Sequence, residues 1–165
     1  MQSSLLLEGV GRGSLGPLVM ARIPMGVDLL ESMESLVRRE GIQKALILMG
    51  IGALRKAVFR NLKLFPETYP ITPKERLYYE VEGPLEITSL SGYVVPKEDG
   101  STLLHAHFCA STVRDDKVVV YGGHLGPGTV TFVKVTVVMA MLPDMPMGKK
   151  WVEERQTEDL WVGSP

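Results

Sequence analysis

The chain has 165 residues, 45% of them hydrophobic and 22% charged, with a formal net charge of −1. That length buries one core without staples, and the composition reads as a soluble globular protein of one domain. Near-neutrality excludes a whole-protein attraction to phosphate backbones or anionic membranes, and a lone cysteine excludes an internal disulfide and fits a reducing cytoplasm, the expected compartment.

In chain order, residues 1–14 (MQSSLLLEGVGRGS) are glycine- and serine-rich and read as a loose leader. They carry no basic segment ahead of the three leucines, so they are not a secretory signal. Leu18 to Ile23 reads as a short strand closed by Pro24. Asp28 to Glu40 is the clearest helix: Leu29, Leu30, Met33, Leu36 and Val37 make one apolar stripe. Asp28 serves as N-cap, Arg38 and Arg39 suit the C-terminal end of the dipole, and Gly41 is the stop. Lys44 to Met49 reads as a buried strand running into Gly50-Ile51-Gly52. A G-x-G that lacks both a third glycine and a well-placed acidic residue is a structural turn rather than a dinucleotide loop.

Ala57 to Phe65 reads as a strand and Pro66 to Lys74, with three prolines, as a loop. Leu77 to Glu82 and Leu85 to Val95 read as two strands joined at Gly83-Pro84, and Lys97-Glu98-Asp99-Gly100 as a turn. Thr129 to Met141 is the best strand by propensity. This longest apolar run, near residues 129–142, contains Lys134 and is too short to span a membrane. After Pro143 the composition shifts to methionines, then Lys149-Lys150-Trp151 and a charged segment ending in Trp161. Residues 143–165 are therefore expected to be an extension of the 15–142 domain. It would pack as a helix on the body or on a neighbouring subunit, with Trp151 and Trp161 as anchors.

The chemistry gathers between Leu103 and Gly128, which hold all three histidines. As a strand, residues 104–113 put Leu104, Ala106, Phe108, Ala110 and Thr112 on a core face and His105, His107, Cys109 and Ser111 on the other. Residues 117–122 make the second strand of a hairpin. If Asp115 and Asp116 are its loop, Arg114 faces Lys117 and His107 faces His124, with His105 two residues along on the same face. Facing residues have Cβ atoms about 4.5–5.5 Å apart, so three imidazoles can converge on one ion at about 2.0–2.1 Å. Asp-Asp is a poorer type I′ turn than Asn-Gly, and Gly122-Gly123 offers a place for a bulge that would shift the pairing by one. The bland reading is of polar histidines on a wet sheet face.

His105-Ala106-His107 followed by Gly122-Gly123-His124-Leu125 and Gly128 resembles the PPC (plants and prokaryotes conserved) domain family. So do Gly50-Ile51-Gly52-Ala53, Pro84-Leu85-Glu86-Ile87 and Leu90-Ser91-Gly92, in the same order, over roughly residues 15–142. The resemblance implies an α+β fold, a central largely antiparallel sheet with flanking helices, and a homotrimer. It also implies, as in prokaryotic members, a metal held by His105, His107 and His124. Glu86, the one carboxylate inside these motifs, is either a partner that holds an imidazole in the right tautomer or an ordinary exposed strand glutamate.

Two functions follow as expectations. One is a metal-binding homotrimer with a regulatory or DNA-associated role. The other is a metal-dependent enzyme acting on a small molecule, since three histidines leave a coordination position open for water or substrate. In plants the family is fused to AT-hooks, but Gly11-Arg12-Gly13 lacks their flanking arginine and proline, and no basic cluster exists to neutralise phosphates. Direct DNA contact by this chain is therefore not expected, nor is a membrane partner. Imidazoles suit Zn, Cu, Fe or Ni alike, and zinc is the divalent ion expected. Cys109 reads as a small packed hydrophobe rather than a fourth ligand. Without histidines acting as ligands, the chain would be a trimerising scaffold.

Overall fold

The computed structural model describes residues 7–163; of the leader 1–14, residues 1–6 lie outside the described residues. Eight strands and one α-helix follow in order: β1 (Leu18–Pro24), α1 (Leu29–Arg39), β2 (Ala45–Leu62), β3 (Arg76–Pro96), β4 (Thr102–Arg114), β5 (Lys117–Leu125), β6 (Val130–Met141), β7 (Met147–Val152) and β8 (Thr157–Val162). The first six strands form one antiparallel sheet in the order β1-β6-β2-β3-β4-β5, and β5 also pairs back onto β2. Strands β2 to β5 therefore curl until their ends meet. The expected α+β balance shifts to a single domain dominated by antiparallel sheet, with one α-helix among the described residues instead of flanking helices.

Two corrections explain that shift. The glycine loop at Gly50-Ile51-Gly52 is no turn between strands, because β2 runs through it for 18 residues and absorbs it as bulges against β6 at Ile47/Met49 and Gly52/Ala53. Gly52 has φ +149°, and a Cβ there would lie 2.2 Å from the Lys134 carbonyl oxygen, so only glycine fits. Likewise Gly83-Pro84 does not separate two strands but lies inside the 21-residue β3. It sits where the β2–β3 register shifts between Leu54 and Lys56. Bulges bend a strand and raise its twist without ending it, which is how two long strands wrap one core.

The helix meets its expected bounds. The Asp28 carboxylate accepts from the Glu31 backbone N–H at 2.9 Å and also from the Gly128 N–H, so one side chain caps the helix and ties it to the β5–β6 loop. Gly41, at φ +63°, follows its C-terminal end. Leu29, Met33 and Val37 are buried against the inner face of the sheet. That face is centred on Phe59 and Phe108, whose rings stack at 4.5 Å.

The tail is a β-hairpin, not a helix. Alternation across β7 and β8 points Met147, Leu160 and Val162 toward Val95 and Leu142 in a second, smaller core, and Gln156 takes the left-handed conformation in the connection. Trp151 is no anchor: it is 52% exposed, and its indole N–H donates to Glu153. Residues 7–16 have no regular structure and run beside this hairpin, where the Ser14 hydroxyl donates to Asp144 at 2.6 Å. No helix among the described residues is long and apolar enough to cross a membrane.

Phe108 is 2% exposed and Phe59 fully buried, so Phe108→Ala should cost about 3–5 kcal/mol. Urea unfolding measures this, and a loss below about 1 kcal/mol would show that the ring pair is not the centre of the core.

Candidate metal centre

The histidines stand on the outer face of the sheet because their neighbours are committed to the inner one. Leu104, Ala106, Phe108, Ala110 and Thr112 are all buried. In a strand of period two this turns His105, His107, Cys109 and Ser111 outward. The hairpin has the expected register, with Arg114 opposite Lys117 and His107 opposite His124. Asp115 and Asp116 adopt φ of +48° and +57°, the two positive values that a type I′ turn requires. Aspartate tolerates that conformation better than most residues, and no bulge intervenes at Gly122-Gly123.

The structure brings the three imidazoles together. One nitrogen from each of His105, His107 and His124 lies within 4.8 Å of the others. The Nε2 atoms of His105 and His107 are 3.1 Å apart. A tetrahedral ion with bonds of about 2.0–2.1 Å needs ligand atoms roughly 3.4 Å apart, a spacing the first pair nearly has, while the His124 nitrogen lies within 4.8 Å of both. Tyr93, opposite His105 on β3, stacks on its ring at 5.1 Å and fixes its plane. His124 stands edge-on to both other rings.

The paired glycines have a cause that sequence alone did not show. Asn61 of β2 reaches across and donates its amide to the Gly122 carbonyl at 2.9 Å. A Cβ on Gly123 would fall 2.0 Å from the Asn61 Oδ1, and one on Gly122 2.8 Å from the Cys109 sulfur. The glycines let β5 close onto β2. That closure carries the residue missed at the sequence level, Arg60, into a backbone pair with His124. No local pattern announces such a pairing, since Arg60 and His124 are joined only by the curl of the whole sheet.

Two residues weighed from sequence are not in the cluster. Glu86 is exposed and sits opposite Ser111, four residues along β4 from His107, about 13 Å by the strand rise. It is not brought to an imidazole. Cys109 lies opposite Gly122, half-buried, outside the group of converging ligand atoms.

Partial burial pushes the His124 imidazole down to about 4, helped by the positive charge of Arg60 and then by the other two histidines and Arg76. His105 is lowered too, first by burial, then by His107, Lys149 and Arg60, while Asp159 opposes the shift. At neutral pH these two rings are uncharged and present lone pairs, the form a metal ion takes.

The profile of the Plants and Prokaryotes Conserved (PCC) domain matches residues 11–143. Among curated proteins, the bifunctional protein GlmU of a Synechococcus species is 32% identical over 123 residues, 74% of this chain. The chain spans only 16% of the length of the curated relatives it matches. A metal-containing protein of Archaeoglobus fulgidus is 28% identical with a TM-score of 0.71, over 92% of this chain and 98% of that one. A plant- and prokaryote-conserved (PPC) protein of Pyrococcus horikoshii is 29% identical with a TM-score of 0.71, over 94% of this chain and 98% of that one.

The depressed His124 value sets a pH dependence. Folded His124 resists a proton that the unfolded chain accepts below about 6.5, so the metal-free protein keeps this stability above that pH. It loses it progressively as pH falls toward about 4. Thermal melts of metal-free wild type and His124→Gln between pH 7 and pH 4.5 should show a shallower decline in the variant. Parallel declines would refute the burial account.

Proposed function

For this chain, which belongs to the Plants and Prokaryotes Conserved domain family, we propose that the function is to bind one divalent metal ion, zinc, through His105, His107 and His124 in a homotrimer. The observation that carries this reading is the convergence of three imidazole nitrogens within 4.8 Å on a surface where all neighbouring side chains are fixed by the strand register. The metal content of the Archaeoglobus fulgidus protein, at 28% identity over nearly its whole length, supports it. Residues 15–142 are the metal-binding domain and 143–165 its extension, and the compartment is the cytoplasm.

The trimer is supported by the outer face of the sheet. Met20 on β1 is 72% exposed, Ile51 on β2 57% and Val118 on β5 73%, large apolar side chains that contact between copies would remove from water. A regulatory or DNA-associated role would operate through this assembly and its partners. With a net charge of −1, the chain itself offers little for a phosphate backbone.

One feature favours a second reading, a metal-dependent enzyme acting on a small molecule. Three protein ligands leave a fourth position free on a zinc ion, as at catalytic rather than structural sites. When bound there the ion would acidify a water. With Glu86 far away, the carboxylate whose charge acts on His105 is that of Asp159, already paired with Arg155.

Protein purified without a histidine tag should contain near-stoichiometric metal by inductively coupled plasma mass spectrometry. His107→Ala should lose it while keeping the wild-type melting temperature of the metal-free form, since the buried face of β4 is untouched. Full metal retention in that variant would place the ion elsewhere. Light scattering should return three times the 18.2 kDa chain mass, and a monomer mass at micromolar concentration would refute the trimer.

A further inference from the structure

The surroundings of the three histidines are unusually cationic for a metal site. Arg60 is paired through its backbone with both His124 on β5 and Tyr78 on β3, so its side chain starts between them. Arg76 lies two residues from Tyr78 on the same strand face, and the positive charges of Arg76 and Arg60 both favour the ionised form of the Tyr78 hydroxyl. From the other side, Lys149 of the C-terminal hairpin is near enough for its charge to act on His105. None of Arg60, Arg76 and Lys149 makes a salt bridge among the described residues. Asp159, the carboxylate acting on His105, is already engaged by Arg155.

Charges of one sign beside a divalent ion repel one another, and partly buried pairs are screened little by salt. Neutral imidazoles leave the ion's full charge uncompensated. Three cations without acidic partners around it have one economical explanation, an anion that sits between them. A guanidinium presents a planar fork of donors that matches a carboxylate or a phosphate in a way that lysine cannot.

We propose that Arg60, with Arg76 and Lys149, forms the anion-recognising wall of the three-histidine site, so that its ligand is a small molecule bearing a carboxylate or phosphate group. Arg60 would hold the anionic group, and a further oxygen of the ligand would be available to an ion held by the three imidazoles. This deepens the metal-centre reading and rests on it. Arg60 is a specificity-determining residue whose backbone place is fixed by the closure of β2 on β5.

The test uses the untagged full-length protein loaded with zinc, titrated calorimetrically with inorganic phosphate in one arm and succinate in the other. Arg60→Ala should weaken the preferred anion at least tenfold while leaving the metal content at the wild-type level, and Arg60→Lys should recover part of the loss. Arg76→Ala, at a position not paired with His124, should weaken it less; it provides a second reading should Arg60→Ala lower the melting temperature. The arm that shows the loss identifies the anion class. Equal affinity in wild type and both alanine variants, or no heat with either anion, would overturn the proposal with the metal centre intact. A change in oligomeric mass in Arg60→Ala at unchanged anion affinity would do so too, by making the arginine an interface residue. Absence of zinc from the wild type would instead remove the metal-centre reading on which the proposal stands.

Discussion

The register of the β4–β5 hairpin is the constraint on which the rest of the site depends. A slip of one residue would turn His124 toward the inner face and Gly123 outward, because side chains alternate with a period of two. Two independent things prevent that slip. At one end Asp115 and Asp116 accept the left-handed conformation of a tight turn; along the strand, Phe108 and Ala110 are locked in the core. The site is thus assembled by the same burial that stabilises the fold. This is why three exposed or half-exposed side chains hold a common geometry without any buried polar scaffold of their own.

The second level of organisation is closure. Bulges in β2, and a register shift opposite Gly83-Pro84, bend two long strands until Phe59 and Arg60 meet Leu125 and His124. One side of this contact is apolar and completes the core through Phe59 and Leu125. The other side sets Arg60 against His124 and lets Asn61 hold the Gly122 carbonyl. A single backbone pairing therefore does both structural and electrostatic work: it seals the sheet and brings a positive charge to the histidine it helps keep neutral.

What could be read from the sequence follows from the range of the interactions involved. The helix, β1, β4, β5 and β6 were legible because alternation, capping residues and a two-residue turn are local signals. So was the meeting of His107 with His124, which needs only one turn to be placed. Features set by distant contacts were not legible. Gly50, Gly52 and Gly83 resemble breakers, yet the neighbours on either side carry the strand past them. The segment after Pro143 carries no local strand signal, because Met147, Leu160 and Val162 alternate over stretches too short to stand out. Their reason to alternate is Val95, roughly fifty to seventy residues earlier in the chain. Arg60 could not be found at all by local reading, and Glu86 drew attention through a motif whose place in the sheet, opposite Ser111, is away from the cluster.

The electrostatics of the site gain a direction from this arrangement. A metal held by three neutral imidazoles gains nothing from nearby arginines, which oppose it; in a site built for the ion alone, carboxylates beside the rings would serve better, by raising their basicity. Here burial and cations both lower two of the imidazoles, a cost to metal affinity that the fold could have avoided. The arrangement becomes favourable only when something anionic shares the site, because the same positive groups that weaken the ion's hold then strengthen the hold on its partner. Ion and anion would each make the other's binding tighter, as thermodynamic reciprocity requires of coupled ligands. The site is then better described as a receptor for a pair than as a store for a metal.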